Sequence, residues 1–141
     1  MAPSAGVEVV PVNLRDAAEI ERTLGTFAQS ANGGLIVTGS ALATTHRDLI
    51  IGLAARHKLP AVYYERLFVA AGGLLSYGAD LTDQYHRAAA YVDRILKGAK
   101  PADMPVQEPV KFDLAINLKT AKALGIELPS MVLAQANNVI E

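Results

Sequence analysis

Ala71–Lys97, AGGLLSYGADLTDQYHRAAAYVDRILK, is the stretch on which the fold turns. Gly72-Gly73 opens it, Leu74-Leu75 begins an apolar run, and the run ends at Ser76-Tyr77-Gly78. Asp80 stands where a helix N-cap belongs, ahead of the longest amphipathic segment in the chain. Tyr85, Ala88, Ala89, Val92 and Leu96, joined by Ile95, recur at helical spacing as an apolar stripe. Asp83, Gln84, Arg87, Asp93, Arg94 and Lys97 take the solvated side, and Gly98 suits the C′ position that ends such a helix. A strand running into a helix N-terminus is where α/β proteins place small-molecule contacts.

Upstream, the chain reads as repeated strand–helix units. Val7–Val12 (VEVVPV) is a strand by its β-branched composition, with Pro11 favouring its end or a sheet edge. Asn13 or Asp16 caps a helix whose apolar positions are Ala17, Ile20, Leu24, Phe27 and Ala28. Asn32-Gly33-Gly34 ends that unit, Leu35–Thr38 is a buried strand, and Gly39-Ser40 is the turn after it. Thr45-His46-Arg47-Asp48 has capping-box spacing, with Asp for Glu, ahead of a helix through His57. Ala61–Tyr64 is a third strand, and Glu65–Ala71 reads equally as a helical turn or a loop.

Downstream, Pro101, Pro105 and Pro109 make Lys100–Pro109 an extended connection. Phe112–Ile116 reads as the last strand, Asn117 caps a short helix to Leu124 stopped by Gly125, and Pro129 opens a final helix that runs to the C-terminus. Strands alternating with helices predict an α/β protein: a Rossmann-like parallel sheet, right-handed crossovers and flanking helices.

Composition narrows the function classes. The 141 residues suit one domain; 51% are hydrophobic and 19% charged, a globular balance rich enough for strands covered on both faces. A net charge of −1 steers the chain to neither nucleic acid nor an anionic membrane. With no cysteine there is no thiolate metal site, disulfide or Cys nucleophile. His46, His57 and His86 carry no ligand spacing, so no metal or cofactor is expected. Neither G-x-G-x-x-G nor G-x-x-x-x-G-K-[ST] occurs, and Ser76 lacks the Gly two residues before it that a nucleophile elbow needs. No apolar run approaches a membrane span, and no basic n-region with an apolar h-region opens the chain as written.

Three spots remain. Gly39-Ser40 follows a strand and precedes a helix, so its hydroxyl and nearby N–H groups can hold a carboxylate, or serve as a plain turn. Glu65 follows the strand AVYY and can receive an ammonium or face water. Asp80 is a cap, a ligand contact, or both. In a parallel sheet all three fall at the C-terminal ends of strands, on one rim, a combination suited to a zwitterionic or hydrogen-bonding solute. A small doubly wound nucleotide- or phosphate-binding enzyme domain is the alternative, with phosphate at Gly39-Ser40. A bare interaction module is a third.

GGLLSYGADL, YVDRILKGAKPADMPV and FDLAINLKTAKALGI, in this order and spacing, closely resemble the C-terminal half of ABC-transporter substrate-binding proteins. The family includes tryptophan- and tyrosine-type solute receptors. The resemblance implies two α/β lobes of the type I periplasmic-binding-protein kind, closing on a small solute and delivering it to a membrane permease, without catalysis. It implies that Gly39, Ser40, Glu65, Ser76, Tyr77 and Asp80 face the ligand. It divides the chain into 1–79, part of the C-lobe; 80–100, a helix crossing to the N-lobe; and 101–141, the return, last strand and C-terminal helices. Family members are periplasmic, whereas this chain as written would stay in the cytoplasm. Met1–Gly6 resembles the loop after the first C-lobe helix, so the chain is expected to be a truncated fragment. On that expectation a strand is missing between Val7–Val12 and Leu35–Thr38, and the isolated chain self-associates, swaps elements or stays partly unfolded rather than binding ligand as a stable monomer.

Overall fold

The computed structural model describes residues 6–12, 15–30 and 32–141. Its sheet has five strands: β1 (Leu35–Val37), β2 (Ala61–Tyr63), β3 (Leu75–Ala79), β4 (Phe112–Asn117) and β5 (Asn138–Ile140), in the spatial order of the chain. β1, β2 and β3 run parallel, as do β4 and β5, but β4 lies antiparallel to β3. The expected α/β fold with flanking helices is present, its sheet mostly parallel with one antiparallel pairing.

The reversal has a physical cause. After β3 the chain leaves along a 16-residue helix, α5 (Leu81–Leu96), and returns through the proline-containing segment beyond it. At 1.5 Å per residue that helix is about 24 Å long. Departure and return meet at one rim, where the Asp80 N–H donates to the Lys111 carbonyl at 2.9 Å. A chain that comes back to the rim it left must run down the sheet in the opposite direction.

The remaining α-helices are α1 (Ala17–Phe27), α2 (Ala41–Thr45), α3 (Arg47–Arg56), α4 (Arg66–Ala70), α6 (Leu118–Leu124) and α7 (Ser130–Gln135), and Pro101–Asp103, expected to be extended, forms one 3-10 turn. Asp16 caps α1, accepting from the Glu19 N–H at 2.8 Å; Asn13, the other candidate, lies outside the described residues, as does Met1–Ala5. Glu65–Ala71 resolves into the short helix α4. Asn117 caps α6, and Gly125 stops it at φ 71°, a left-handed conformation that glycine adopts without cost.

One face of the sheet carries the core. Ile20 and Leu24 of α1, Ile50 and Leu53 of α3, and Phe68 of α4 close over Ala61 and Tyr63. The Tyr63 and Phe68 rings stack 4.9 Å apart. Burial there pushes the Tyr63 phenol up to about 12, because the interior disfavours phenolate. The opposite face is only partly covered. Ile36, Val62, Leu75, Ile116 and Val139 align across it in register. Exposure along that row falls from 80% at Ile36 to 0% at Ile116 and rises again to 44% at Val139.

Three further expectations are corrected. Val7–Val12 forms no strand; Val7, Val9 and Val10 are exposed, and β1, the edge strand, pairs on its other side only. β-branched composition makes a strand possible, but a strand exists only against a partner edge. The capping box at Thr45–Asp48 does not form: Ser40 starts α2 by accepting from the Ala43 N–H at 3.1 Å, and His46 begins α3 with no side-chain cap. The last helix ends at Gln135, where Ala136 turns extended, and the chain finishes in β5. There the Asn137 side chain accepts from the Leu114 N–H at 2.9 Å while its own N–H donates to the Leu114 carbonyl at 2.8 Å, so one residue zips the final strand onto β4.

Candidate functional site

At the rim where β2 and β3 end and β4 begins there is a groove of ≈ 460 Å³. Tyr64, Glu65 and Arg66 form one wall, Gly78–Thr82 the floor and second wall, and Lys111–Asp113 with Asn137 and Asn138 the third. The walls come so close because Gly78 has no side chain: a Cβ there would lie 2.0 Å from the Tyr64 carbonyl oxygen.

Asp80 organises the polar end. One carboxylate oxygen accepts from the Asp83 N–H at 3.1 Å, capping α5, and the other accepts from the Lys111 ammonium at 2.8 Å. The Lys111 hydrogen bond, then the Asp83 N–H, hold the Asp80 carboxyl below the usual aspartate range; Asp80 in turn raises Lys111. Asp83 is taken up by Arg87 at 2.7 Å, and Asp113 accepts from the Asn138 amide at 3.1 Å. Glu65, a half-buried residue lining the groove, heads α4 with no cap hydrogen bond and, among the described residues, no ion pair. The groove thus presents an uncommitted carboxylate and a fixed ammonium. Above it the Phe112 ring stacks on Tyr77 at 5.5 Å, both rings about half exposed.

The residues singled out in the sequence are placed as follows. Gly39-Ser40, Glu65 and Asp80 follow the C-terminal ends of β1, β2 and β3, on one rim. Glu65 and Asp80 line the groove; Gly39 packs behind it against the Tyr64 ring, whose hydroxyl meets that of Thr44 at 2.7 Å. The Ser40 hydroxyl oxygen serves as the α2 cap. Ser76 is 1% exposed, in register with Tyr63 and Ala115 on the core face, so its side chain is not brought to the groove. Tyr77 is brought to the rim only through its stack with Phe112. Sequence reasoning missed Lys111, Phe112, Asp113, Asn137 and Asn138. The signal that finds the first three is the proline-containing return, which must end beside the Asp80 it left. Among the described residues no group of three His, Asp or Glu side chains is placed to hold a metal ion.

Comparison with known proteins follows the same lines. The family described as ABC transporter substrate binding protein matches residues 1–140. A conserved domain protein from Vibrio cholerae O1 biovar El Tor superimposes with TM-score 0.86 at 26% identity, over 98% of this chain and 46% of that one. An ABC domain in complex with L-Trp from Streptococcus pneumoniae gives 0.85 at 28%, over 99% and 48%. A ligand-free, open structure of a substrate binding protein with adhesive properties from Clostridium difficile gives 0.70 at 23%, over 99% and 46%, a likeness of fold. A sequence search of curated proteins finds no significant match. The chain spans about half the length of these solved structures. By its match over residues 1–140, the chain belongs to the family of ABC transporter substrate binding proteins.

Proposed function

We propose that this chain forms one lobe of a two-lobed receptor of an ABC import system, which holds a small amino-acid-like solute between its lobes and delivers it to a membrane permease. The receptor is non-catalytic and works in the periplasm. The observation that carries this reading is the rim groove, which offers Glu65 and Lys111, groups of opposite charge, beside an aromatic ring. Gly39 and Ser40 extend the rim on one side, Asp80 organises its centre, Tyr77 backs Phe112, and Ser76 supports β3 from the core side.

The division of the chain fits the same reading. Residues 1–79 and 101–141 build the lobe, and 80–100 cross to its partner lobe. In support, α5 buries none of its residues, and Tyr85 and Leu96 of its apolar stripe are 77% and 81% exposed. An amphipathic helix with a bare apolar face is stable when a second surface covers it. No helix among the described residues is long and apolar enough to cross a membrane.

A thermal-shift panel tests the reading. L-amino acids at millimolar concentration should raise the unfolding temperature by mass action, and nucleoside triphosphates should not. Stabilisation by nucleotides alone, with phosphate release, would favour the enzyme alternative instead.

A further inference from the structure

We infer that Lys111, held in place by Asp80, is the group that takes the carboxylate of a zwitterionic solute, and that Glu65 takes its ammonium. The inference rests on the receptor reading above and assigns roles within that groove.

The argument is one of free valences. Asp80 has two carboxylate oxygens, and both are occupied, one by the α5 cap and one by Lys111. The Lys111 ammonium already neutralises the Asp80 charge, so a solute ammonium meets a weaker attraction there than at Glu65. Lys111 is in the opposite position. Its ammonium has three donors, one of which goes to Asp80, and its side chain is 62% exposed, so donors remain for an incoming anion. Asp83 and Asp113, the other nearby carboxylates, are drawn off by Arg87 and Asn138 and do not neutralise it by direct contact. Glu65 lines the same groove and, among the described residues, makes no ion pair and no cap hydrogen bond. Asp80 is on this account a positioning residue: it fixes where the ammonium of Lys111 stands.

Fixing that ammonium has a second consequence. Asp80 and Lys111 are also joined through the backbone, N–H to carbonyl, where the chain leaves for α5 and returns. A solute held by Lys111 therefore sits at the point where the returning segment is tied to the departing one.

The test uses the 141-residue chain and three probes: L-tryptophan, tryptamine, which lacks the carboxylate, and indole-3-propionate, which lacks the ammonium. Amide chemical shifts titrated by NMR give each affinity. The wild-type chain should prefer L-tryptophan to tryptamine by about tenfold, the range of a charged hydrogen bond. Lys111→Met should abolish that preference and Lys111→Arg should keep it. Glu65→Gln should abolish the preference over indole-3-propionate and leave the other intact. Asp80→Asn keeps the helix cap, yet should reduce the L-tryptophan-to-tryptamine ratio; if Asp80 acted as a cap alone, the ratio would not change. A tenfold preference surviving in Lys111→Met overturns the inference and leaves the receptor reading standing. Absence of binding by all three probes to the folded wild-type chain overturns the inference, and the receptor reading falls with it only if the remaining amino acids also leave the shifts unmoved.

Discussion

Asp80 does two jobs with two oxygens, and only one of them is local. The cap to Asp83 is written in neighbouring residues, so the sequence shows it. The bond to Lys111 depends on where a long excursion returns, and no local pattern encodes that. The sign of its pH dependence follows from the two shifts. The folded carboxyl of Asp80 lies below its unfolded value, so its contribution is present above that value and lost as pH falls through the folded one. Lys111 is raised, so its contribution is lost as pH rises through its folded value. The pair holds across the whole window between. In an NMR titration Lys111→Met should move the Asp80 midpoint back up towards that of an ordinary aspartate; an unmoved midpoint would show that the pair does not form in solution. At Gly78 the constraint is steric. Gly78→Ala must push the Tyr64 backbone away and should destabilise the fold by about 3 kcal/mol, the upper end of overpacking. Urea denaturation measures this, and a change within about 0.5 kcal/mol would mean the strands stand farther apart than described.

At the scale of elements, what was legible was what is periodic or capped. α5 and its cap, α6 between Asn117 and Gly125, and the strands around Leu35, Ala61 and Leu75 are each dictated by residues a few positions apart. What was not legible depends on partners. Val7–Val12 and Asn138–Ile140 both carry β-branched residues, but only the second gains a neighbouring edge, through Asn137. The exposed stripe of α5 gives a direct contrast. Leu96→Ser removes apolar surface already in water and should change stability by less than about 0.5 kcal/mol, whereas Ile20→Ala in the core should cost about 2–5 kcal/mol. Calorimetric unfolding of both variants checks the pair; a large loss at Leu96 would mean that α5 folds back on its own lobe.

For the whole molecule the open surfaces set the behaviour. Among the described residues no strand lies beside the outer edge of β1, and Ile36 is 80% exposed on the thinly covered face. In a parallel pair alternate residues turn their N–H and C=O groups away from the neighbour, which leaves that edge able to accept another chain. Light scattering at tens of micromolar should find dimers or larger species, and Ile36→Lys should shift the population towards monomer. A monodisperse wild-type monomer would show that these surfaces are closed in some other way. The groove, by contrast, is one wall of the proposed cleft, so affinity for an amino acid should be weak, on the order of millimolar. The measurement that bears most directly on the receptor reading is an NMR titration of the chain with L-tryptophan. The account predicts saturable shifts concentrated at Glu65, Asp80, Lys111 and Phe112, and their loss in the double variant Glu65→Gln/Lys111→Met. Shifts scattered over the surface, or none at saturating L-tryptophan and across the remaining amino acids, would contradict it.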